Sequence, residues 1–417
     1  MSSKKIILII GIVVIIAIAA FLIFSARNGA TTDAGGEGSI RNFFPFGNSG
    51  EAPADNTGFA NTGSDGSTDF QTNNLDEPIP KLRKLSEDPI AGAILFNKGK
   101  STTTIVRFVV KDTGNVYEAY SDSLEKKRLT NTTIPKINRA FWLPSGEGFL
   151  VQKTDGGGII ETSYIRLKAI TASSSNELAL PYEPSISNLP TDIIEIAPSP
   201  DSKKIFYYTA SGGMKGYTSN PDGANPTLVY GGVISEWIPN WFSQNSILLA
   251  SKASFNSDSL GLFLNPINKS SSKAFGRIIG GGALPRSDGK YVLVSSGGEE
   301  PNLFLITTAN EAVKTVGVQT LSEKCAWKSS ATLVVVCGAP KFTPSANYPD
   351  AWYQGLLNTN DTVVVIDLEN NTQSLISDLS AESGENIDIQ NMFLSKDGFF
   401  ALFTNKLDQS LWLLKLE

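Results

Sequence analysis

The chain has 417 residues, 41% hydrophobic and 18% charged, with a formal net charge of −6. It contains no histidine, which excludes Ser-His-Asp and Cys-His catalysis and every His-ligated metal. Its two cysteines alone leave a tetrahedral zinc short of ligands, so no cofactor is expected.

Residues 1–27 read as a transmembrane signal anchor. Ile6 to Phe24 is a run of 19 uncharged residues, long enough at 1.5 Å per residue to cross a hydrocarbon core of about 30 Å. Phe24 and Ala26 stand where a cleavage site would need small residues, which favours an uncleaved anchor over a cleaved signal peptide. Lys4 and Lys5 precede the run and only Arg27 follows it closely, placing the N-terminus in the cytoplasm. The expectation is a single-pass protein of the cytoplasmic membrane with its body on the extracytoplasmic side. Cleavage would release the same body outside.

Residues 28–79 are rich in Gly, Ser, Thr, Asn and acidic side chains, with too little apolar surface to offset the entropy of ordering, and are expected to be a disordered linker. Eight acidic residues there face Arg41 alone, so the linker accounts for the acidity and the remainder is nearly neutral. That argues against a nucleic-acid partner, which needs clustered Lys and Arg. Such a coil spans roughly 40 Å. Phe43, Phe44 and Phe46 around Pro45 form its apolar spot, either a contact for lipid or partner or an accident of composition.

From Pro80 onward short runs of Val, Ile, Leu, Phe and Tyr alternate with turn residues, without a sustained helical period. With 37 glycines and 21 prolines the class is all-β. One phrase recurs six times: an apolar or aromatic residue, a Ser-containing turn, then an apolar strand. Its copies are FWLPSGEGFLV from Phe141, IAPSPDSKKIFYY from Ile196, NWFSQNSILLA from Asn240, ALPRSDGKYVLV from Ala283, CAWKSSATLVVV from Cys325 and MFLSKDGFFALF from Met392. The serines taken as equivalent, Ser145, Ser199, Ser243, Ser287, Ser329 and Ser395, are 54, 44, 44, 42 and 66 residues apart. These intervals lie mostly near the roughly 40 to 50 residues of a four-stranded propeller blade. A first unit without the phrase has four strand-like runs, from Ile90, Thr104, Asn115 and Lys126.

The reading is a seven-bladed β-propeller over residues 80–417. Its last unit lacks an outer strand, which Pro80–Ser86 can supply, closing the ring and removing its exposed edge. A β-sandwich with extra strands is the competing arrangement, but it leaves the recurrent phrase unexplained. The phrases, chiefly SPDSKKIFYY from Ser199 and RSDGKYVLV from Arg286, resemble the WD40-like (PD40) repeats of TolB-like propellers. Ser243–Gln244–Asn245 and Ser329–Ser330–Ala331 depart from the family's turn. The resemblance implies the fold over roughly the last 330 residues and, by analogy, an interaction platform in a cell envelope.

Cys325 and Cys337 flank one hairpin symmetrically about Ala331, which sets them opposite each other on paired strands. A disulfide fits a cross-strand pair whose Cα atoms approach to about 4.5 Å, with two buried thiols as the alternative. Asp201, Asp288 and Asp397 occupy turns where a capping role outweighs a catalytic one.

The longest interruption, Ala339 to Asp361, falls between the second and third strands of blade six and carries Phe342, Tyr348, Asp350, Trp352 and Tyr353. These five are the candidate binding residues. Loops beyond about 12 residues are usually functional or disordered, and this one's aromatic content argues for order. The loop is either a recognition surface or a lid that packs its aromatics onto the propeller. The functional expectation is a noncatalytic module binding an envelope protein or glycan. The alternative is a carboxylate-dependent hydrolase of envelope polysaccharide, which needs carboxyl groups converging at the channel mouth.

Overall fold

The computed structural model describes residues 78–417 except 100, 102, 171–179, 210–212, 299–300 and 345–346. The expected anchor at 6–24 and nearly all of the expected linker lie outside the described residues. Among the described residues no helix is long and apolar enough to cross a membrane.

Among the described residues twenty-eight strands form seven antiparallel four-stranded sheets. Blade one is β2 (Ile90–Asn97), β3 (Thr104–Val110), β4 (Val116–Tyr120) and β5 (Lys126–Arg128). Blade two is β6 (Arg139–Trp142), β7 (Gly148–Thr154), β8 (Ile160–Ala169) and β9 (Tyr182–Asn188), and blade three is β10 (Ile193–Pro198), β11 (Ile205–Thr209), β12 (Lys215–Ser219) and β13 (Thr227–Gly231). Blade four runs β14 (Trp237–Ser243), β15 (Ser246–Ser251), β16 (Asp258–Leu264) and β17 (Ser271–Ile279), and blade five β18 (Ala283–Pro285), β19 (Tyr291–Ser295), β20 (Leu303–Thr307) and β21 (Ala312–Thr315). Blade six is β22 (Cys325–Trp327), β23 (Val334–Pro340), β24 (Asp361–Asp367) and β25 (Thr372–Asp378).

Blade seven takes β26 (Ile389–Leu394), β27 (Phe400–Asn405) and β28 (Leu411–Lys415) from the C-terminus and β1 (Leu82–Ser86) from the start of the body. Leu82 pairs with Leu414 and Lys84 with Trp412, so the ring closes as the missing outer strand required. Leu85 of β1 joins Ile90, Val106 and Phe108 of blade one and Leu402, Leu411 and Leu413 of blade seven in one apolar cluster across the seam.

The second strand of each blade has a neighbouring sheet on both faces, so its side chains are buried without alternation. β3 (TIVRFVV) is buried at all seven positions and β11 (IFYYT) at all five. This explains why these segments read as continuous apolar runs rather than alternating ones. The cores lie between blades: Val109 and Val116 meet Phe149, Val151 and Ile165, and Val336 and Val363 meet Phe403, Trp412 and Leu414.

All six phrases are hairpins of first and second strands. Their turns show that the serine equivalence needs correcting. The backbone bond that closes the turn runs from Ser199 to Lys204, from Arg286 to Tyr291 and from Ser395 to Phe400, but from Leu143 to Gly148 and from Lys328 to Val334. Ser145, Ser287 and Ser329 are therefore one or two residues out of register with Ser199 and Ser395. At Ser199 and Ser395 the hydroxyl donates to an aspartate two residues on, Asp201 at 2.7 Å and Asp397 at 2.5 Å. Those aspartates also accept the N–H of Lys203 and Phe399, which is the expected capping role. In blade five Arg286 replaces the serine and pairs with Asp288 through Nε (3.0 Å) and Nη2 (2.6 Å).

Among the described residues the α-helices are two short pieces, α1 (Asp350–Tyr353) and α2 (Leu379–Ser383). The start of α2 is capped by Asp378, whose carboxylate accepts Ala381 N–H, and its end by Gly384 at φ +76°. Since strands alternate in direction, the second-to-third loops and the blade-to-blade connections emerge on one face, here called upper. Leu82 begins β1 on the opposite, lower face.

Candidate functional site

Blade six holds the expected disulfide. Cys325 and Cys337 are register partners, joined with Sγ–Sγ 2.12 Å and Cα–Cα 4.0 Å, and both are buried. Immediately before Cys325 comes Lys324, fully buried with Asp361, the first residue of β24, and Asp388, just before β26. Sequence distances of 37 and 64 residues separate the lysine from these carboxylates.

The lysine spends its three donors on Thr359 Oγ1 (2.5 Å), Asp361 Oδ2 (2.8 Å) and Asp388 Oδ1 (2.6 Å). Asp388 is richly held: Trp352 Nε1 reaches both of its oxygens at 2.9 Å, and Thr359 donates its N–H (3.0 Å) and hydroxyl (2.9 Å). Asp361 is not. Its Oδ2 accepts Ile389 N–H at 2.8 Å besides the lysine, while Oδ1 is buried without a hydrogen-bond partner. Burial pushes the Asp361 carboxyl above the usual carboxylate range, against the pull of Lys324.

Over this triad the loop between β23 and β24 forms a strap across the upper face. Its backbone lies on blade five, where Gly298 N–H donates to Tyr348 O at 2.9 Å. A Cβ on Gly297 would meet Tyr348 O at 2.7 Å and Pro349 Cδ at 2.8 Å, so only glycine allows this approach. The strap reaches blade four through Asp350, which accepts Ser254 Oγ–H (3.1 Å) and Phe255 N–H (3.0 Å). Tyr353 donates its hydroxyl to Glu323, and Lys406 from blade seven donates to Asn358 at 3.0 Å with its ammonium 5.0 Å from the Trp352 ring. Leu321, Tyr348 and Trp352 form their own small core, with Tyr353 and Leu357 packed against it. Burial raises the Tyr348 and Tyr353 phenols and the Glu323 carboxyl and lowers Lys406.

The five candidate binding residues thus divide. Tyr348 and Trp352 are fully buried and hold the strap down, Asp350 and Tyr353 are half-buried and bonded to the body, and Phe342 is 82% exposed. Leu356, beyond the first set, is 78% exposed on the same strap. Lys324, Asp361 and Asp388 were also beyond sequence reasoning, because nothing local marks three charges that meet only after folding.

On the inner strands Arg139 and Glu195 bridge blades two and three through two 2.9 Å bonds. Among the described residues no group of three or more His, Cys, Asp or Glu is arranged to hold a metal.

No family model matches the chain, and no curated protein matches it in sequence. Similar solved structures include an oligogalacturonate lyase in complex with manganese, at 10% identity, 79% of this chain, 97% of that one and TM-score 0.49. A mitotic checkpoint complex structure matches at 13% identity, 82% and 98% coverage and TM-score 0.48. TolB from Acinetobacter baumannii matches at 13% identity, 78% and 79% coverage and TM-score 0.36. The chain resembles the TolB-like, PD40-repeat propellers. That resemblance is one of fold, and the seven blades rest on the strand order itself.

Proposed function

We propose that this TolB-like propeller is a noncatalytic binding or scaffolding module for an envelope protein or glycan, held outside the cytoplasmic membrane by residues 6–24 and working through its upper face. The observation that carries the proposal is the division of labour within the strap. Phe342 and Leu356 project into solvent from a loop whose middle is fixed by a buried tryptophan, a buried ion triad and the Asp350 contacts. Exposed apolar side chains on a restrained base lose little entropy on binding, which is how a recognition loop gains affinity.

The alternative, carboxylate-dependent hydrolysis of envelope polysaccharide, draws on Asp361 and Asp388, which do converge with one carboxyl raised. Both side chains are wholly enclosed beneath the strap, however, and a polymer cannot reach them without displacing it.

The test places a photocrosslinking residue at Phe342 in the intact protein in its native envelope, with Ile267, exposed on the lower face, as the control position. A discrete protein or glycan adduct from position 342, absent from 267 and weakened by Leu356→Ser, is the expected result. Equal capture from both positions would refute the upper-face reading. Cleavage of envelope polysaccharide by the purified protein, lost in Asp388→Asn, would establish the hydrolase instead.

A further inference from the structure

The Lys324 triad has a geometry that ordinary ion pairs lack. An ammonium and a carboxyl lie 2.8 Å apart with a second carboxylate 2.6 Å from the same nitrogen, and all three side chains have no exposed surface. Taking such charges out of water is costly, and the pair recovers this only when every polar atom is satisfied. Here Asp361 Oδ1 is not.

We infer that Lys324 and Asp361 join in an intramolecular isopeptide bond, Nζ to Cγ, formed by the protein on itself with Asp388 as the proton relay. Transfer of one ammonium proton to Asp361 gives a neutral amine beside a neutral carboxylic acid. The nitrogen lone pair then attacks Cγ and the C–N bond forms. Asp388 takes the second proton from nitrogen and delivers it to the departing hydroxyl. The Cγ–O bond breaks with loss of one water, and Asp388 ends as the carboxylate it began as. No oxidant or outside reactant is needed.

The surroundings assign the roles. Asp361 is the electrophile because its environment favours the neutral acid: burial raises its carboxyl, and few donors hold its charge. Oδ2, which lies 2.8 Å from the nitrogen and takes its first proton, is the oxygen that leaves as water, while Oδ1, which has no hydrogen-bond partner, stays as the amide carbonyl. Asp388, bonded by Trp352 and Thr359, is held with Oδ1 2.6 Å from the nitrogen. The strap excludes water, which would otherwise hydrate the amine and carboxyl. The product replaces two buried charges by a neutral amide and ties the start of β22 to the point where the strap returns at β24, next to the disulfide that joins β22 to β23. It is independent of what the upper face binds.

Mass spectrometry of the full-length protein tests this directly. The expected chain is lighter than its disulfide-bonded sequence by one water. After reduction, trypsin should leave residues 315–328 joined to residues 342–396, uncut at Lys324. Lys324→Arg and Asp388→Asn should each restore two separate peptides of unmodified mass. Recovery of free 315–324 and 342–396 from the wild-type protein would overturn the proposal and leave a plain buried ion triad. A water loss mapped to any other site would overturn it equally.

Discussion

Replacing Trp352 by phenylalanine isolates what its indole nitrogen contributes. The ring is wholly buried in the small core of Leu321 and Tyr348, and a phenyl group keeps most of that packing. What is lost is Nε1–H, which donates to both Asp388 oxygens at 2.9 Å. A hydrogen bond to a charged group is worth about 1.5–3 kcal/mol. Asp388 keeps Lys324 and Thr359 as partners, so the loss belongs near the lower bound of that range.

The strap core is separate from the clusters between blades, so the effect should be local. Hydrogen exchange measured by mass spectrometry should show the strap amides that bond within the turn, Trp352 and Tyr353 to Pro349 O and Leu356 to Ala351 O, losing roughly 10- to 30-fold protection. Strand β24 should be unchanged. Equal loss in β24, or none in the strap, would refute the idea that Trp352 and Asp388 latch a loop that opens independently. Trp352→Ala adds a large cavity, about 3–5 kcal/mol, and should leave the strap open to protease.

Gly297→Ala should lift the strap without touching the blades, since the new Cβ meets backbone at 2.7 Å. Faster proteolysis between 341 and 360, with the melting temperature of the body nearly unchanged, is the expected result. The strap should also respond to pH. Glu323 has a carboxyl raised mainly by burial, so the stability it contributes is full below the ordinary carboxyl range and is lost as pH rises through its raised value. Strap protection, corrected for intrinsic exchange, should therefore be greatest in mild acid, and Glu323→Gln should flatten that dependence. Reducing the Cys325–Cys337 bridge, which closes a separation of 12 residues, should cost about 2–4 kcal/mol, read as a shift in the denaturant midpoint. A chain beginning after Ser86 leaves β28 (LWLLK) as an open apolar edge and should self-associate, which light scattering would detect.

The blades were legible because each is specified within about 40 residues of sequence. An apolar run such as IFYY, a turn with Asp201 and a following strand all lie within one repeat, and β1 could be placed because the last repeat was one strand short. The disulfide was legible through the symmetry of its hairpin. The candidate site was only half legible. Composition located the strap between β23 and β24 and argued for its order, but it carries no sign of which way an aromatic ring points. Trp352 is buried because Asp388 waits beneath it, and Phe342 is exposed because nothing covers it; neither partner is near in sequence. The turn of blade five misled for a related reason. Arg286 performs with its guanidinium what Ser199 and Ser395 do with a hydroxyl, so equivalence by residue type picked Ser287, one position away.

Blade six carries the disulfide, the buried triad and the strap together, and the three are physically linked. A loop of some twenty residues between adjacent strands has many conformations to lose, and the ordering cost falls on the blade that bears it. The disulfide fixes the first two strands at Cys325, and Lys324 beside it bonds to Asp361, where the strap returns to the sheet. Asp388 then extends the hold to blade seven and, through Trp352, to the middle of the strap. Charge inside the fold is expensive, and here it is placed where an otherwise mobile loop needs a fixed base. Removing the lysine leaves two buried carboxylates without a cation, so Lys324→Met should unlatch the strap more severely than loss of Phe342 or Leu356, which are largely in solvent.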